Sequence, residues 1–316
     1  YELLYYCFSW RTESVGLGVK KRGFNRMEPG MVDSKPTTVL IKDGREHGER
    51  WQKALWALRP DIEIRTFPFV GDVEDIDFAF IWAPPSGLLA SLPNLQAVMS
   101  VGAGVDHLLQ DSDYPTAVPL VRMVDPTLTA GMVEYVTMAT LLCSRQMYRV
   151  FLNQAGQFWD AIEAPLAKNV KVGVLGLGEI GLASAKMLQR VGYKVLGWSR
   201  HEKQLQGITT YHGKDGLERM LGWCDILVNI LPLTPETTGI LSAGTFNRMP
   251  KGSCVINVGR GQHCNEDDLL KALDSDRLSC AVLDVFQEEP LPVGHPLWSH
   301  EKVIVTPHVG GITKPE

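Results

Sequence analysis

From Thr38 onward, short apolar runs alternate with segments whose apolar residues recur at helical spacing. Runs at 39–42, 62–67, 78–82, 95–101 and 118–123 read as strands, with helices around 49–58 and near Val105. That rhythm predicts a parallel, flavodoxin-like α/β domain over residues 37–125. A long helix over 130–150 follows, with Met132, Val133, Val136, Ala139, Thr140 and Cys143 on one face. Its broad apolar surface predicts burial against a partner chain or the second domain.

Residues 126–316 carry six further apolar runs, at 170–175, 194–198, 225–231, 253–258, 280–284 and 303–306. Six strands with intervening helices fit a doubly wound Rossmann domain. Helix signals support the count: Thr234-Pro-Glu-Thr237 resembles a capped start for a helix over 238–249, and Asn265-Glu-Asp-Asp opens one at 269–273 with acids in its first turn.

The first of these runs feeds Gly176-Leu-Gly178-Glu-Ile-Gly181, a G-x-G-x-x-G turn that opens into a helix over 182–191. Gly176 permits the tight turn, Gly178 lets backbone N–H groups approach a pyrophosphate, and Gly181 lets the helix pack on the strand. The helix N-terminus faces the phosphate with its positive end. A dinucleotide is therefore expected. The acid that would accept from a ribose 2′-OH is missing at the end of the next strand, where Ser199-Arg200 stands. Arg200, with His201 or Lys203, suits a 2′-phosphate, so NADP(H) is expected to bind in preference to NAD(H).

A chain of 316 residues has room for two domains with buried cores. A net charge of −5 without a basic stripe gives no support for nucleic acid or an anionic membrane as partner. No apolar stretch reaches the roughly 20 residues of a spanning helix. The six cysteines lack a C-x-x-C pair, which argues for reduced thiols and against a zinc knuckle or disulfide framework. Residues 1–36 place an aromatic run before Lys20-Lys-Arg22, the reverse of a secretory signal, and show neither helical nor strand period. They stay unassigned: a mitochondrial transit segment, or upstream or added sequence with Met27 or Met31 as the start. Cytoplasmic location is the expectation otherwise.

Chemistry is expected at the carboxyl ends of the strands. Three ends stand out: Asn257-Val-Gly-Arg260-Gly, Asp284-Val-Phe-Gln-Glu-Glu289-Pro290 and Thr306-Pro-His308-Val-Gly-Gly311. Reducing a 2-oxo acid builds an alkoxide, which needs a proton donor and a nearby positive charge. His308 can give the proton, Glu289 can orient His308 and keep it protonated near neutral pH, and Arg260 can hold the carboxylate and polarise the carbonyl. The bland alternatives are a loop arginine, a solvent-facing acid and a histidine satisfied by backbone. The other histidines, His47, His107, His201, His212, His263, His295 and His300, have no comparable setting, and no pair has metal-ligand spacing.

The glycine turn, Leu231-Pro-Leu-Thr-Pro-Glu-Thr237 and these three strand ends together resemble the D-isomer-specific 2-hydroxyacid dehydrogenases. Trp198-Ser-Arg200, Ile81-Trp-Ala-Pro-Pro85 and Val101-Gly-Ala-Gly-Val-Asp106 bring the chain nearest to the glyoxylate/hydroxypyruvate reductase A type. The resemblance implies a catalytic set of Arg260, Glu289 and His308, acting on glyoxylate and hydroxypyruvate with NADPH. It implies cofactor contacts from Gly176, Gly178, Glu179, Ile180, Gly181, Ser199, Arg200, Leu231, Thr237, Val258 and Gly310, with Asp284 on the nicotinamide carboxamide and Pro232 at the adenine. Backbone N–H groups of Gly102, Ala103 and Gly104 would grip the substrate carboxylate. Trp82 would line the substrate pocket or belong to the core. No metal is implied. A homodimer through the helix at 130–150 is. Family members continue for about another helix, which completes the first domain, whereas this sequence stops at Pro315-Glu316. An inactive truncated product and a dinucleotide-sensing, corepressor-like binding protein are the rival readings.

Overall fold

Thr38–Lys42 (β1) sends Val39 and Ile41 to one face of a sheet and Leu40 to the other, and all three are buried. Both faces of β1 are thus covered, which is why the strand is apolar without alternation. The computed structural model describes residues 35–43, 48–123 and 125–313, so the readings of the first 34 residues lie outside the described residues. The chain divides into two units, 1–125 and 126–316.

In the first unit, Glu63–Thr66 (β2), Ile76–Ile81 (β3), Ala97–Ser100 (β4) and Leu120–Val121 (β5) join β1 in a parallel sheet of order β2-β1-β3-β4-β5. This is the flavodoxin-like order. Helix α1 (Gly48–Leu58) lays Leu55 against Val39, Ile41, Ile62 and Phe80. Leu40, Ile81, Leu89, Val98 and Leu108 fill the other face. Leu108 comes from a single helical turn, α2 (Asp106–Leu109).

The second unit opens with α3 (Pro126–Ser144) and α4 (Met147–Ala155). The single helix expected over 130–150 is therefore two. Gln146 breaks it with φ of 54°, a left-handed conformation that a right-handed helix cannot contain. Periodicity missed the break because both flanks are helical. Met132, Val136, Ala139 and Cys143 pack on Val172, Val174, Val228 and Ile256 of their own unit. Of the two coverings expected for this face, the second domain is the one observed.

Seven parallel strands follow: Lys171–Leu175 (β6), Lys194–Ser199 (β7), Thr209–His212 (β8), Ile226–Asn229 (β9), Ser253–Asn257 (β10), Leu278–Leu283 (β11) and Val303–Val305 (β12). Their order is β12-β11-β10-β9-β6-β7-β8, a doubly wound Rossmann sheet whose direction of winding reverses between β6 and β9. The unexpected seventh strand, β8, is a half-exposed Thr-Thr-Tyr-His edge without apolar alternation. Between the strands lie α5 (Glu179–Val191), α6 (Gly213–Leu221), α7 (Ala243–Arg248), α8 (Glu266–Asp274) and α9 (Pro296–Ser299). Asn265 caps α8 by accepting the Asp268 N–H at 3.0 Å, as its acidic first turn predicts. The helix expected over 238–249 shrinks to α7. Gly239 at φ 67° and the Leu241–Cys264 bridge hold the preceding residues out of helical geometry.

Candidate active site

At the switch point, the three glycines after β6 meet three different demands. Gly176 has φ of 98°, and a Cβ there would lie 3.0 Å from the Ile230 carbonyl oxygen. Gly181 is packed so closely that a Cβ would sit 1.9 Å from the Gly176 carbonyl oxygen. At Gly178 a Cβ would meet nothing within 4 Å. Gly178 and Glu179 are exposed at the start of α5, Ile180 is half-buried, and the thirteen-residue helix presents its N-terminus to this opening. The turn fits a phosphate-bearing ligand, because the space is open and the dipole end is positive.

Neighbouring residues close around the same turn. Lys203 Nζ donates to the Leu177 carbonyl at 2.7 Å. Ser199 is buried and its hydroxyl donates to the His201 carbonyl at 2.7 Å, while Arg200 is exposed. Glu236 is held below the usual carboxylate range, first by the Thr234 hydroxyl and further by the charge of Arg200. After β9, Leu231 is buried and Pro232 exposed; the Thr237 hydroxyl donates to the Pro232 carbonyl at 2.8 Å and accepts the Thr234 N–H at 2.9 Å. Thr234–Thr237 is thus a hydrogen-bonded loop and not the expected helix cap.

The ends of β10, β11 and β12 bring Arg260, Glu289 and His308 together. His308 Nδ1 and Glu289 Oε2 are 2.7 Å apart, and the other carboxyl oxygen of Glu289 accepts the Phe286 N–H at 3.0 Å. Burial pushes the Glu289 carboxyl up, but the His308 hydrogen bond, the Phe286 N–H and the charges of His308 and Arg260 outweigh it and leave it below the usual range. Both side chains are about one-third exposed, at 35% each, so a reactant can reach them. Arg260 Nη1 donates to its neighbour's Gly259 carbonyl at 2.7 Å. The Arg260 loop lies on the Glu289 loop with no room for a side chain, since a Cβ at Gly261 would fall 1.9 Å from the Phe286 carbonyl oxygen.

His308 has φ of 53°, an uncommon conformation outside glycine, and Asp284 holds the backbone around it. Asp284 is buried; Oδ1 accepts the Thr306 hydroxyl at 2.6 Å and the Val309 N–H at 2.9 Å, and Oδ2 accepts the Gly310 N–H at 2.8 Å. Tyr135 of α3 bonds the same Thr306 hydroxyl at 2.5 Å, and burial pushes its phenol up to about 12. Asp284 thus anchors the histidine loop, a task its place in the sequence did not reveal. Val258 is buried beside Asn257 at the end of β10.

In the first unit, Trp82 is half-buried and packs on its own neighbours. A Cβ at Gly102 would strike its ring at 2.2 Å, and its ring lies 4.3 Å from that of His107. The Ser100 hydroxyl pins the Gly102–Gly104 loop by donating to the Gly102 carbonyl at 2.9 Å. The N–H groups of Ala103 and Gly104 have no hydrogen-bond partner among the described residues.

In sequence His263, like the other histidines, has no setting comparable to that of His308; the structure places it under the Arg260 loop. His263 is fully buried directly beneath Arg260, whose N–H donates to its Nδ1 at 3.0 Å. Its spacing of three residues from Arg260 was the available signal. Among the described residues no cluster of three or more His, Cys, Asp or Glu could hold a metal ion.

Residues 137–310 match the model of the D-isomer specific 2-hydroxyacid dehydrogenase NAD binding domain. The chain is 37% identical over 273 residues to glyoxylate/hydroxypyruvate reductase A of Yersinia enterocolitica, covering 85% of this chain and 87% of that protein. The Serratia proteamaculans enzyme of that name is 38% identical, with 85% and 88% covered. A D-isomer specific 2-hydroxyacid dehydrogenase of Xanthobacter autotrophicus, solved with NADPH and MES, superposes with a TM-score of 0.82 at 38% identity, covering 88% of this chain and 90% of that one. The NADPH-dependent glyoxylate/hydroxypyruvate reductase of Sinorhizobium meliloti, solved with NADP and sulfate, gives a TM-score of 0.80 at 38% identity, covering 87% and 89%. With its doubly wound sheet, glycine turn and strand-end residues, the chain belongs to the D-isomer-specific 2-hydroxyacid dehydrogenases, a family of oxidoreductases.

Proposed function

We propose that this enzyme reduces small 2-oxo acids, glyoxylate and hydroxypyruvate first, to 2-hydroxy acids with NADPH. The observation that carries the reading is the Glu289–His308 pair at 2.7 Å beside Arg260, on the sheet whose first turn is the glycine cradle. Gly176, Gly178 and Gly181 with the start of α5 would hold the pyrophosphate, Arg200 the 2′-phosphate, and Leu231, Pro232, Thr237, Val258 and Gly310 the remainder. When bound, the dinucleotide supplies the hydride.

The chain's own residues do the rest. Glu289 accepts from Nδ1 of His308, which fixes the ring and leaves Nε2 as the proton-donating face. The positive charge of Arg260 stabilises the negative oxygen that develops at the carbonyl. In the first unit, the amides of Ala103 and Gly104 suit a carboxylate, with Gly102 shaping the loop. Exposed Met138, Leu141, Phe151, Phe158 and Trp159 support a homodimer formed through α3 and α4. Among the described residues no helix is long and apolar enough to cross a membrane. Cytoplasmic location belongs to the same proposal, supported by the bacterial sources of the named relatives, which lend nothing to a mitochondrial one.

The test is the initial rate of NADPH and NADH oxidation with glyoxylate and with hydroxypyruvate, for the wild type and Arg260→Ala. Faster turnover with NADPH is expected, and kcat/KM should drop by about 10²–10³-fold in the variant, the loss of roughly 3 kcal/mol of electrostatic stabilisation. Near-normal turnover by Arg260→Ala sinks the assignment.

A further inference from the structure

Beneath the Arg260 loop lies a layer of polar side chains, Asn229, Asn257 and His263, each 0% exposed. Burial of such groups is costly unless each donor finds an acceptor. Here all three side chains have partners, and the Arg260 N–H and Asn229 Nδ2 share the single lone pair of His263 Nδ1. Asn229 Nδ2 donates to Asn257 Oδ1 at 2.9 Å and reaches His263 Nδ1 at 2.9 Å, while Asn229 Oδ1 accepts the Leu231 N–H at 3.3 Å. Asn257 Oδ1 accepts the Gly259 N–H at 3.2 Å, and Asn257 Nδ2 donates to the Arg260 carbonyl at 3.0 Å.

His263 is the node. Its Nδ1 receives the Arg260 N–H at 3.0 Å, and a backbone N–H can only donate, so Nδ1 must carry a lone pair. The neutral ring then keeps its hydrogen on Nε2, which faces the Pro232 carbonyl at 3.3 Å, a group that can only accept. Two backbone groups on two different loops therefore fix one tautomer. The fit tolerates no side chain between them: a Cβ at Gly259 would lie 2.8 Å from His263 Nδ1 and 2.9 Å from Asn229 Nδ2.

We infer that His263 is a positioning residue that couples the loop of Leu231 and Pro232, on the cofactor side, to the loop that carries Arg260. The inference rests on the role proposed above for Arg260. His263 is fully buried, so it acts through the two backbones it joins.

The two ring nitrogens can be separated by substitution. An asparagine places its amide group where Nδ1 lies, two bonds beyond Cβ, and a glutamine places its amide where Nε2 lies, three bonds beyond. His263→Asn, His263→Gln and His263→Leu are compared with Arg260→Ala, reading NADPH dissociation by fluorescence titration, kcat and KM for glyoxylate, and the thermal midpoint. His263→Leu should lose tenfold or more in both NADPH affinity and kcat. His263→Asn should recover most of the loss in kcat but not in NADPH affinity, and His263→Gln the reverse. That crossover is something a merely structural histidine would not produce. If the Asn and Gln variants fall together in step with their thermal midpoints, or if His263→Leu keeps both parameters within twofold, the coupling role is overturned while a slow Arg260→Ala leaves the catalytic reading standing. An active Arg260→Ala overturns both.

Discussion

Replacing Gly178 and Gly181 separately by alanine tests whether the glycine turn divides its labour as the geometry requires. At Gly181 the added methyl carbon must move from 1.9 Å to at least 3.4 Å from the Gly176 carbonyl oxygen, an opening of 1.5 Å between α5 and the end of β6. The obstacle is backbone, so no side chain can swing aside. Overpacking costs about 1–3 kcal/mol, and this site belongs at the upper end, a large share of a domain's margin. At Gly178 the methyl meets nothing within 4 Å, and φ of −71° suits any residue. Stability there should change by less than about 1 kcal/mol. The methyl instead occupies the space through which a pyrophosphate would reach the backbone amides. Losing one charge-assisted hydrogen bond, about 1.5–3 kcal/mol, weakens NADPH by about ten- to a hundredfold. Urea unfolding and NADPH titration of both variants supply the check. Gly181→Ala should lower the urea midpoint by about 1 M or more, and Gly178→Ala should keep it but bind NADPH poorly. Wild-type affinity in Gly178→Ala, or a wild-type midpoint in Gly181→Ala, refutes the reasoning.

Arg200→Ala should raise the NADPH dissociation constant on the order of tenfold and leave that of NADH unchanged; equal loss for both coenzymes would deny Arg200 the 2′-phosphate. Thr306→Val removes a donor from buried Asp284 and the partner of Tyr135 at constant shape, so stability should fall by about 1.5–3 kcal/mol and kcat with it as the His308 loop loosens; unchanged chemical unfolding would show the network to be idle. Glu289 is depressed in the folded state, so its contribution to stability is present above the unfolded value of about 4.3 and is lost as pH falls through the lower folded value. The difference in melting temperature between wild type and Glu289→Gln should therefore hold from pH 7 to about 5 and shrink below about 4, modestly because the group is one-third exposed; a difference that grows in acid contradicts the sign.

Period and punctuation in the sequence determined the two α/β sheets, the glycine turn and the three strand ends, because strand alternation, helical spacing and glycine requirements are local properties of the chain. Arg260, Glu289 and His308 were legible for the same reason, each lying just beyond an apolar run. Elements that depend on neighbours far along the chain were not. The break at Gln146 is a single left-handed residue inside uninterrupted helical spacing, β8 is an edge strand defined by its pairing with β7, and the residues expected to cap and open a helix are held by Thr237 and, at Leu241, by the bridge to Cys264. The resemblance implies a cofactor contact for Asp284, and only the return of the chain at Thr306–Gly310 shows that it also anchors the histidine loop. His263 looked like a histidine without a setting until Asn229 and Pro232, more than thirty residues away, closed around both of its nitrogens. A buried polar group takes its meaning from the partners that satisfy it, and those partners are brought to it by the tertiary fold alone.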